Sequence, residues 1–210
     1  MKRISRIELE PELDLSPMDA YIGKSCAEID SELSLEINPA GKSYVRLIIE
    51  GMIEKLKIDI PSPKYEYKMI RVNQFGKAKN PSPYKVTNYH EIILEKWETS
   101  EFKKLLEPTY IFFVVTHGSP DTSIFKGYIT HNFTKSEMQS AEYVWADTRD
   151  KIREGIYDRF LTEKETKTFF FKIHANSVSD RTSAPNSSQE TIRSFWISKS
   201  LISEIISELY

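Results

Sequence analysis

The sequence predicts an α/β domain, because segments with the character of β-strands alternate with segments of helical periodicity. Short runs rich in β-branched and aromatic residues, bounded by turn-forming residues, predict strands at 65–72, 109–115, 122–130, 166–175 and 192–197. Apolar residues recur at helical spacing in the segments 44–56, 90–107, 136–155 and 198–209. Alternation of this kind is typical of a sheet that is covered by helices.

The remaining segments are predicted to connect these elements. Residues 1–18 carry many charges and two prolines, which predicts an N-terminal arm, and residues 19–210 are predicted to form one domain. A short helical pattern at 19–36 precedes the first long helix. The stretch 74–83 is predicted to be a loop or hairpin, and the polar, Pro- and Ser-rich stretch 177–191 is predicted to be a long loop.

Composition excludes several classes of protein. The chain of 210 residues is 40% hydrophobic and has a formal net charge of −2, which argues against a purely electrostatic nucleic-acid binder. A single cysteine, Cys26, excludes a disulfide framework, and four histidines without cysteine partners argue against a structural zinc site. The longest apolar runs are too short for a membrane span or a signal segment, so we expect a cytoplasmic protein.

Acidic residues and a lysine surround the first predicted strand. Asp59 precedes this strand through a turn that contains prolines, and Glu66 and Lys68 share one face because strand side chains alternate. Glu50 lies inside the apolar helix 44–56, where a carboxylate is costly to bury unless it is paired. Carboxylate oxygens are the ligands that Mg²⁺ prefers, and a neighbouring lysine can hold a water that attacks a phosphate. The pattern is therefore compatible with a Mg²⁺ site for phosphate chemistry.

An ordinary structural interpretation of the same residues stays open. The chain has 31 acidic and 29 basic residues, so a Glu-x-Lys pair arises often by chance. Alternating charges are also common along exposed strand edges, where they prevent edge-to-edge aggregation. Spacing alone does not decide between these two interpretations.

Several segments together resemble a known nuclease family. The arrangement Asp59-hydrophobic-Pro, four residues, Glu66-hydrophobic-Lys68 resembles the active-site segment of the MutH and GATC-cutting type II restriction endonucleases, within the PD-(D/E)xK superfamily. The segment KSYVRLIIE, 42–50, is similar to the family's helix that ends in an active-site glutamate. Later landmarks follow in the same order, so that the resemblance covers residues 20–210: WETSEFKKLLEPTYIFFVV, IFKG, VWADTRDKIREG and SFWISKSLISEII.

The resemblance implies a restriction-endonuclease-like α/β fold, with a mixed central sheet flanked by helices and a DNA cleft between two lobes. It implies a Mg²⁺-dependent endonuclease that cuts double-stranded DNA at a GATC-like site. In that role Asp59 and Glu66 would bind the metal, Lys68 would orient or activate the water, and Glu50 would support them. A further family lysine is matched by Lys104 (less closely by Lys103).

The resemblance also implies residues that contact DNA bases. His174 and Asn176 follow the strand FFFKIHAN, Arg181 lies in the loop beyond, and Trp196 stands beside the adenine whose methylation this family can sense. By composition alone, His174 could equally be a strand-end residue and Trp196 a packing residue.

Local basic charge suggests contacts with the DNA backbone. The segment 77–85 contains Lys77, Lys79 and Lys85 and no acidic residue, and lysines of this kind suit phosphate oxygens. The same composition is ordinary for a solvated loop.

Two departures from the family keep a second function open. The resemblance would place an arginine where His174 stands, which changes the expected base preference. The staphylococcal-type enzymes also contain a second, C-terminal copy of the fold that has lost catalysis and binds DNA as an effector. WETSEF, VWADT and SFWISKS are most similar to that copy. The competing function is therefore a non-catalytic DNA-binding domain, and a weaker third possibility is a chance motif in a protein that does not bind DNA. A partner copy of the fold, as a homodimer or as the other half of a longer chain, is compatible with either DNA-related function.

Overall fold

Helices and strands alternate along the chain, which confirms the mixed α/β class. The computed structural model describes residues 13–174, 177 and 179–210. Within these ranges the α-helices are α1 (Cys26–Leu33), α2 (Tyr44–Lys55), α3 (Tyr89–Ile92), α4 (Glu101–Lys104), α5 (Lys135–Arg153), α6 (Glu163–Thr166) and α7 (Lys199–Ile205). The strands are β1 (Tyr65–Val72), β2 (Ser82–Val86), β3 (Thr109–Thr116), β4 (Phe125–His131), β5 (Phe169–Ile173), β6 (Arg181–Ser183), β7 (Gln189–Thr191) and β8 (Arg193–Ile197). Short 3₁₀ helices span Ser16–Tyr21, Trp97–Thr99 and Ile206–Leu209.

The strands form two small sheets instead of the one central sheet that was predicted. The first sheet has the order β1-β3-β4, with β1 parallel to β3 and β3 antiparallel to β4. The second sheet has the order β2-β8-β5 and is antiparallel throughout. Strands β6 and β7 form a separate two-stranded hairpin. The sequence contains strands of the right length but does not encode which of them pair, because pairing depends on contacts between distant residues.

Strand β3 is buried on both faces because it is the central strand of the first sheet. Its alternate side chains Tyr110, Phe112 and Val114 face a core shared with the second sheet and with α5. The intervening side chains pack against α1 and α2: Ile111, Phe113 and Val115. Burial on both faces explains why this segment is a continuous apolar run without the alternation of a half-exposed strand.

Helix α5 has clear start and stop signals in the sequence. The Thr134 hydroxyl accepts a hydrogen bond from the Glu137 backbone N–H, and the Glu137 carboxylate accepts one from the Thr134 N–H, which completes a capping box. Gly155 follows the helix with a φ of +74°, a conformation that glycine adopts without strain. One stripe of the helix is buried against the core: Ala141, Val144, Trp145, Thr148 and Ile152.

The predicted helical segment 90–107 is broken into short pieces. Ser100 accepts a hydrogen bond from the Lys103 N–H and thereby starts α4, while the Glu95 carboxylate accepts one from the Glu101 N–H. These side-chain caps compete with a continuous helix, which separates α3, a 3₁₀ turn and α4. The predicted loops at 74–83 and 177–191 likewise contain the start of β2 and the hairpin β6–β7.

Part of the predicted N-terminal arm packs on the domain. Leu15 and Met18 are buried beside α1 and α2, and Ser16–Tyr21 forms a 3₁₀ helix. Residues 1–12 lie outside the described residues. Across the described ranges, every helix is too short or too polar to cross a lipid bilayer.

The central position of β3 gives a direct test of the core. Replacing Phe112 by Ala should lower the free energy of unfolding by about 3–5 kcal/mol, because the ring is fully buried and its loss leaves a cavity. The matched control is Phe75→Ala, where the ring is 75% exposed and the expected change is below about 0.5 kcal/mol. Urea unfolding followed by circular dichroism measures both, and equal effects would contradict the described packing.

Candidate functional site

Strand β1 places Glu66 and Lys68 on one face of the first sheet. In the parallel register Glu66 pairs with Tyr110 and Lys68 pairs with Phe112, so these side chains share a face. Ile70, further along the strand, belongs to the core between the two sheets. The predicted sharing of a face is therefore seen, and Lys68 lies where β1 meets the second sheet.

The Lys68 ammonium is held by a carbonyl and by aromatic rings. Its Nζ donates a hydrogen bond to the Pro83 carbonyl oxygen at 2.7 Å. The same Nζ lies 4.4 Å from the centre of the Tyr84 ring and 5.8 Å from that of Tyr110, within the range of cation–π attraction. Burial lowers the pKa of Lys68 from its ordinary 10.5 to about 8, and the negative charge of Glu66 opposes this shift. With a pKa of about 8, the Lys68 amine can therefore exchange a proton near neutral pH.

The carboxylates around Lys68 differ in their surroundings. Glu66 and Asp59 are exposed, whereas Glu50 is partly buried on α2 and pairs with Arg46 at 3.4 Å. Burial raises the pKa of Tyr67, and the charges of Glu50 and Glu66 raise it further, which places both carboxylates near this one hydroxyl. Glu66 and Lys68 thus occupy one neighbourhood, whereas Glu50 lies on α2 near Tyr67, which faces the other side of the sheet.

Asp59 stands apart from this neighbourhood in its interactions. It lies between α2 and β1, just after Ile58, which is buried. Over the described residues, Asp59 has no hydrogen bond or ion pair to another side chain. Within those same ranges, no three His, Cys, Asp or Glu side chains form a group that could hold a metal ion by themselves.

The predicted additional lysine, Lys104, is the last residue of α4 and is exposed. The next residue, Leu105, accepts a hydrogen bond from the Tyr110 hydroxyl at 2.5 Å through its backbone carbonyl. Because Tyr110 also lies beside the Lys68 ammonium, the end of α4 borders the same site. Lys103, the less close match, instead pairs with Glu107 at 3.5 Å.

Trp196 and His174 meet on the second sheet. Trp196 on β8 pairs with Phe170 on β5, and their rings stack with centres 6.4 Å apart. The His174 ring lies 5.5 Å from Trp196, and the Lys172 ammonium lies 5.3 Å from the Trp196 ring centre. Residues 170, 172 and 174 share a face because they alternate along the strand. We call these four side chains the Trp196 cluster.

Polar atoms on this face have no partner among the described residues. They are Trp196 Nε1, His174 Nδ1 and Ser194 Oγ, and each is buried without a hydrogen bond. Buried polar groups are usually hydrogen-bonded, since leaving one unpaired costs about 1–3 kcal/mol. The three atoms are one donor, the Trp196 Nε1–H, and two groups that can donate or accept, His174 Nδ1 and Ser194 Oγ.

Pro83 connects the Lys68 site with the Trp196 cluster. Its carbonyl accepts the Lys68 hydrogen bond, and across the pairing of β2 with β8 it stands opposite Trp196. The register of this pairing shifts between Pro83 and Val86, so the ladder is irregular beside the contact. One backbone position therefore touches both predicted sites.

The remaining predicted DNA contacts are dispersed. Lys77 and Lys79 are exposed on the connection between β1 and β2, and Arg181 is exposed on β6 with a hydrogen bond to Thr191. Lys85 pairs with Glu101 at 3.2 Å, beside a cavity that Glu91 and Glu95 also line. The negative charges of these glutamates repel phosphate. Asn176 lies outside the described residues.

A comparison with known proteins supports a link to DNA-cutting enzymes. No protein-family model matches the chain. Among curated proteins, the type II restriction enzyme Sau3AI of Staphylococcus aureus is 25% identical over an alignment of 167 residues, which covers 70% of this chain and 34% of that enzyme. The chain is similar to a restriction enzyme. The chain spans about a third of the length of this relative. The similarity is distant, and it supports the restriction-enzyme part of the predicted resemblance.

Sequence reasoning missed residues that complete the Lys68 site and the Trp196 cluster. Pro83 and Tyr84 hold the Lys68 ammonium, although Pro83 ends the segment 74–83 predicted to be a loop or hairpin and Tyr84 lies just beyond it. Lys172 joins the Trp196 cluster, and its alternation with Phe170 and His174 in FFFKIH was a signal that could have identified it. No comparable signal marks Pro83, because its contact depends on the meeting of two sheets.

The surroundings of Lys68 predict how its pKa responds to Glu66. Since Glu66 raises the pKa of Lys68, the substitution Glu66→Gln should move it below the wild-type value of about 8. Competitive acetylation followed by peptide mass spectrometry, repeated across pH, measures the midpoint for Lys68. Chain unfolded in denaturant serves as the reference, where the pKa should return to its ordinary 10.5.

The matched substitution Glu107→Gln removes an exposed carboxylate that pairs with Lys103, and should leave the Lys68 midpoint unchanged. A wild-type midpoint near that of the unfolded chain would contradict the described burial of Lys68.

Proposed function

We propose that this chain is a Mg²⁺-dependent, sequence-specific DNA endonuclease with a restriction-endonuclease-like fold of the PD-(D/E)xK type, acting at a GATC-like site. The observation that carries the proposal is Lys68, whose pKa is lowered to about 8 beside Glu66 on strand β1. Lysines with lowered pKa values concentrate at functional sites, because a purely structural surface lysine stays solvated. The distant similarity to a type II restriction enzyme supports DNA as the substrate.

In this proposal Asp59 and Glu66 bind a Mg²⁺ ion, with DNA and water supplying its other ligands. Asp59 and Glu66 are exposed and offer the oxygen atoms that Mg²⁺ prefers. Mg²⁺ is commonly bound by one or two carboxylates plus phosphate oxygens and water, so a group of three protein ligands is not required. When bound there, the ion would neutralise charge on the scissile phosphate and lower the pKa of a coordinated water.

The protein groups have separate tasks in this proposal. Lys68 orients the attacking water and, in its neutral form, can accept a proton from it. Glu66 keeps the pKa of Lys68 from falling further. Glu50 would add negative charge from α2, on the Tyr67 side of the sheet. Lys104 at the end of α4 would offset charge on the cleaved phosphate. His174, Asn176, Arg181 and Trp196 would contact bases, and Lys77 and Lys79 the backbone.

A second candidate is a non-catalytic DNA-binding domain with the same fold. The observation that favours it is the contact of the Lys68 ammonium with the Pro83 carbonyl and the Tyr84 ring, which engages the lysine within the protein. A lysine with that role would join the two sheets, and recognition would fall on the Trp196 cluster.

Plasmid cleavage distinguishes the two functions. Supercoiled plasmid with GATC sites should be cut in Mg²⁺ and remain intact in EDTA, and a plasmid without such sites should resist. Asp59→Ala and Lys68→Ala should each abolish cutting, because one removes a metal ligand and the other the group that activates water. Nicked circles would indicate cleavage of one strand, and linear product would indicate cleavage of both.

Matched controls are Asp158→Ala and Lys164→Ala, which change exposed residues and should cut normally. The Lys68→Ala protein should still bind GATC duplex in a gel shift. Cleavage by Lys68→Ala would remove this residue from the mechanism. Absence of cutting by wild-type protein that retains GATC duplex would establish the DNA-binding function instead.

Base recognition by the Trp196 cluster is tested by binding. Trp196→Ala should weaken binding to GATC duplex by about 1–3 kcal/mol, the usual cost of losing a base contact, with a smaller effect on unrelated duplex. Trp196→Phe retains a ring and removes the Nε1 donor, so it separates stacking from hydrogen bonding. Fluorescence anisotropy measures both duplexes, and equal losses on them would assign Trp196 to packing.

A further inference from the structure

A polar pocket lies beside the Lys68 site, along the free edge of β1. It has a volume of about 300 Å³ and is lined by Lys42, Met69, Ile70, Arg71, Asn80, Pro81, Ser82 and Pro83. Strand β1 is at the edge of the first sheet, and the connection to β2 passes across this edge. Pro83 both lines the pocket and accepts the Lys68 hydrogen bond, so the pocket adjoins the residue that holds the proposed catalytic lysine.

The charge of this pocket is positive and uncompensated. Lys42 and Arg71 are the charged residues of its lining, which contains no acidic residue. By contrast, the cavity beside Lys85 includes three glutamates, and the cavity beside Tyr44 includes Asp30, Glu36 and Asp121. An anion is therefore the chemical class of ligand that this pocket fits.

Arg71 strengthens the inference because its guanidinium is not neutralised. The residue is partly buried, and in the described ranges its side chain has neither an ion pair nor a hydrogen bond. Its backbone carbonyl is occupied by the Lys79 N–H at 2.9 Å, which fixes the strand edge. A partly buried guanidinium that lacks a carboxylate is costly, and binding of an anion would offset that cost.

The polar neighbours complete a set of groups suited to phosphate. Asn80 can donate through its amide and Ser82 through its hydroxyl, while the arginine fork can bind two oxygens of one phosphate. Arg, Lys, Ser and Asn side chains that donate hydrogen bonds to phosphate oxygens fix the register of a protein on DNA.

We infer that Lys42, Arg71, Asn80 and Ser82 bind a DNA phosphate that neighbours the scissile one. This inference rests on the proposed function, because the ligand is the same DNA. The pocket would hold the strand at a second point beside Lys68, so that the scissile phosphate cannot slide along the cleft. The contact is independent of sequence and adds to affinity for every duplex.

Salt dependence of DNA binding tests the inference. Losing the neutralisation of one phosphate lowers the slope of log affinity against log salt by about 0.9, so Lys42→Gln with Arg71→Gln, which removes both cations from that phosphate, should lower it by about 0.9. The loss should be the same for GATC and unrelated duplexes. Binding is followed by fluorescence anisotropy with Ca²⁺ in place of Mg²⁺, and thermal unfolding verifies that the variants are folded.

The matched control is Arg159→Gln with Lys164→Gln, which removes the same two charge types from exposed positions and should leave the slope unchanged. Lys42→Gln with Arg71→Lys retains one cation at the same phosphate and should recover most of the lost slope, which separates charge from misfolding. An unchanged slope in the double glutamine variant, with normal binding by wild type, would overturn the pocket alone. Failure of wild-type protein to bind any duplex would overturn the pocket together with the proposed function.

Discussion

The two sheets are held together by a shared layer of aromatic side chains, and Tyr84 joins that layer to Lys68. The Tyr84 ring contacts Phe102, Tyr110 and Phe169 edge-on or tilted and also lies against the Lys68 ammonium. A lysine can be placed at this junction because the ring face and the Pro83 carbonyl replace part of its hydration. Without the second sheet, Lys68 would be an ordinary charge on an exposed strand edge.

This junction explains both the lowered pKa of Lys68 and the stability that its burial costs the fold. Burial of the ammonium lowers its pKa, and Glu66 limits the fall, so the lysine stays close to the range where it can exchange a proton near neutral pH. The buried ammonium also contributes less to the stability of the fold than an apolar side chain of equal volume would. Such a compromise is typical of a functional site, where stability is given up for reactivity.

In the proposed function, recognition and chemistry are adjacent because one strand, β2, contacts both proposed sites. Strand β2 carries Pro83, which contacts Lys68 on one side and pairs with Trp196 on the other. The polar pocket with Arg71 borders the same proline. A duplex bound along this strand would therefore meet the Trp196 cluster, the pocket and Lys68 as parts of one surface, although their residues come from distant parts of the sequence.

The sequence by itself determined the strand and helix segments with strong patterns, such as β1, β3 and α5, because periodicity and caps are local properties. It also determined that Glu66 and Lys68 share a face, since alternation in a strand is fixed by geometry. Only the tertiary structure decided that the strands divide into two sheets, that Lys68 is enclosed by Pro83 and Tyr84, and that Asp59 lacks a partner among the described residues. Those outcomes depend on contacts between residues far apart in the chain. Such contacts form as the whole core packs, and no local sequence pattern encodes them.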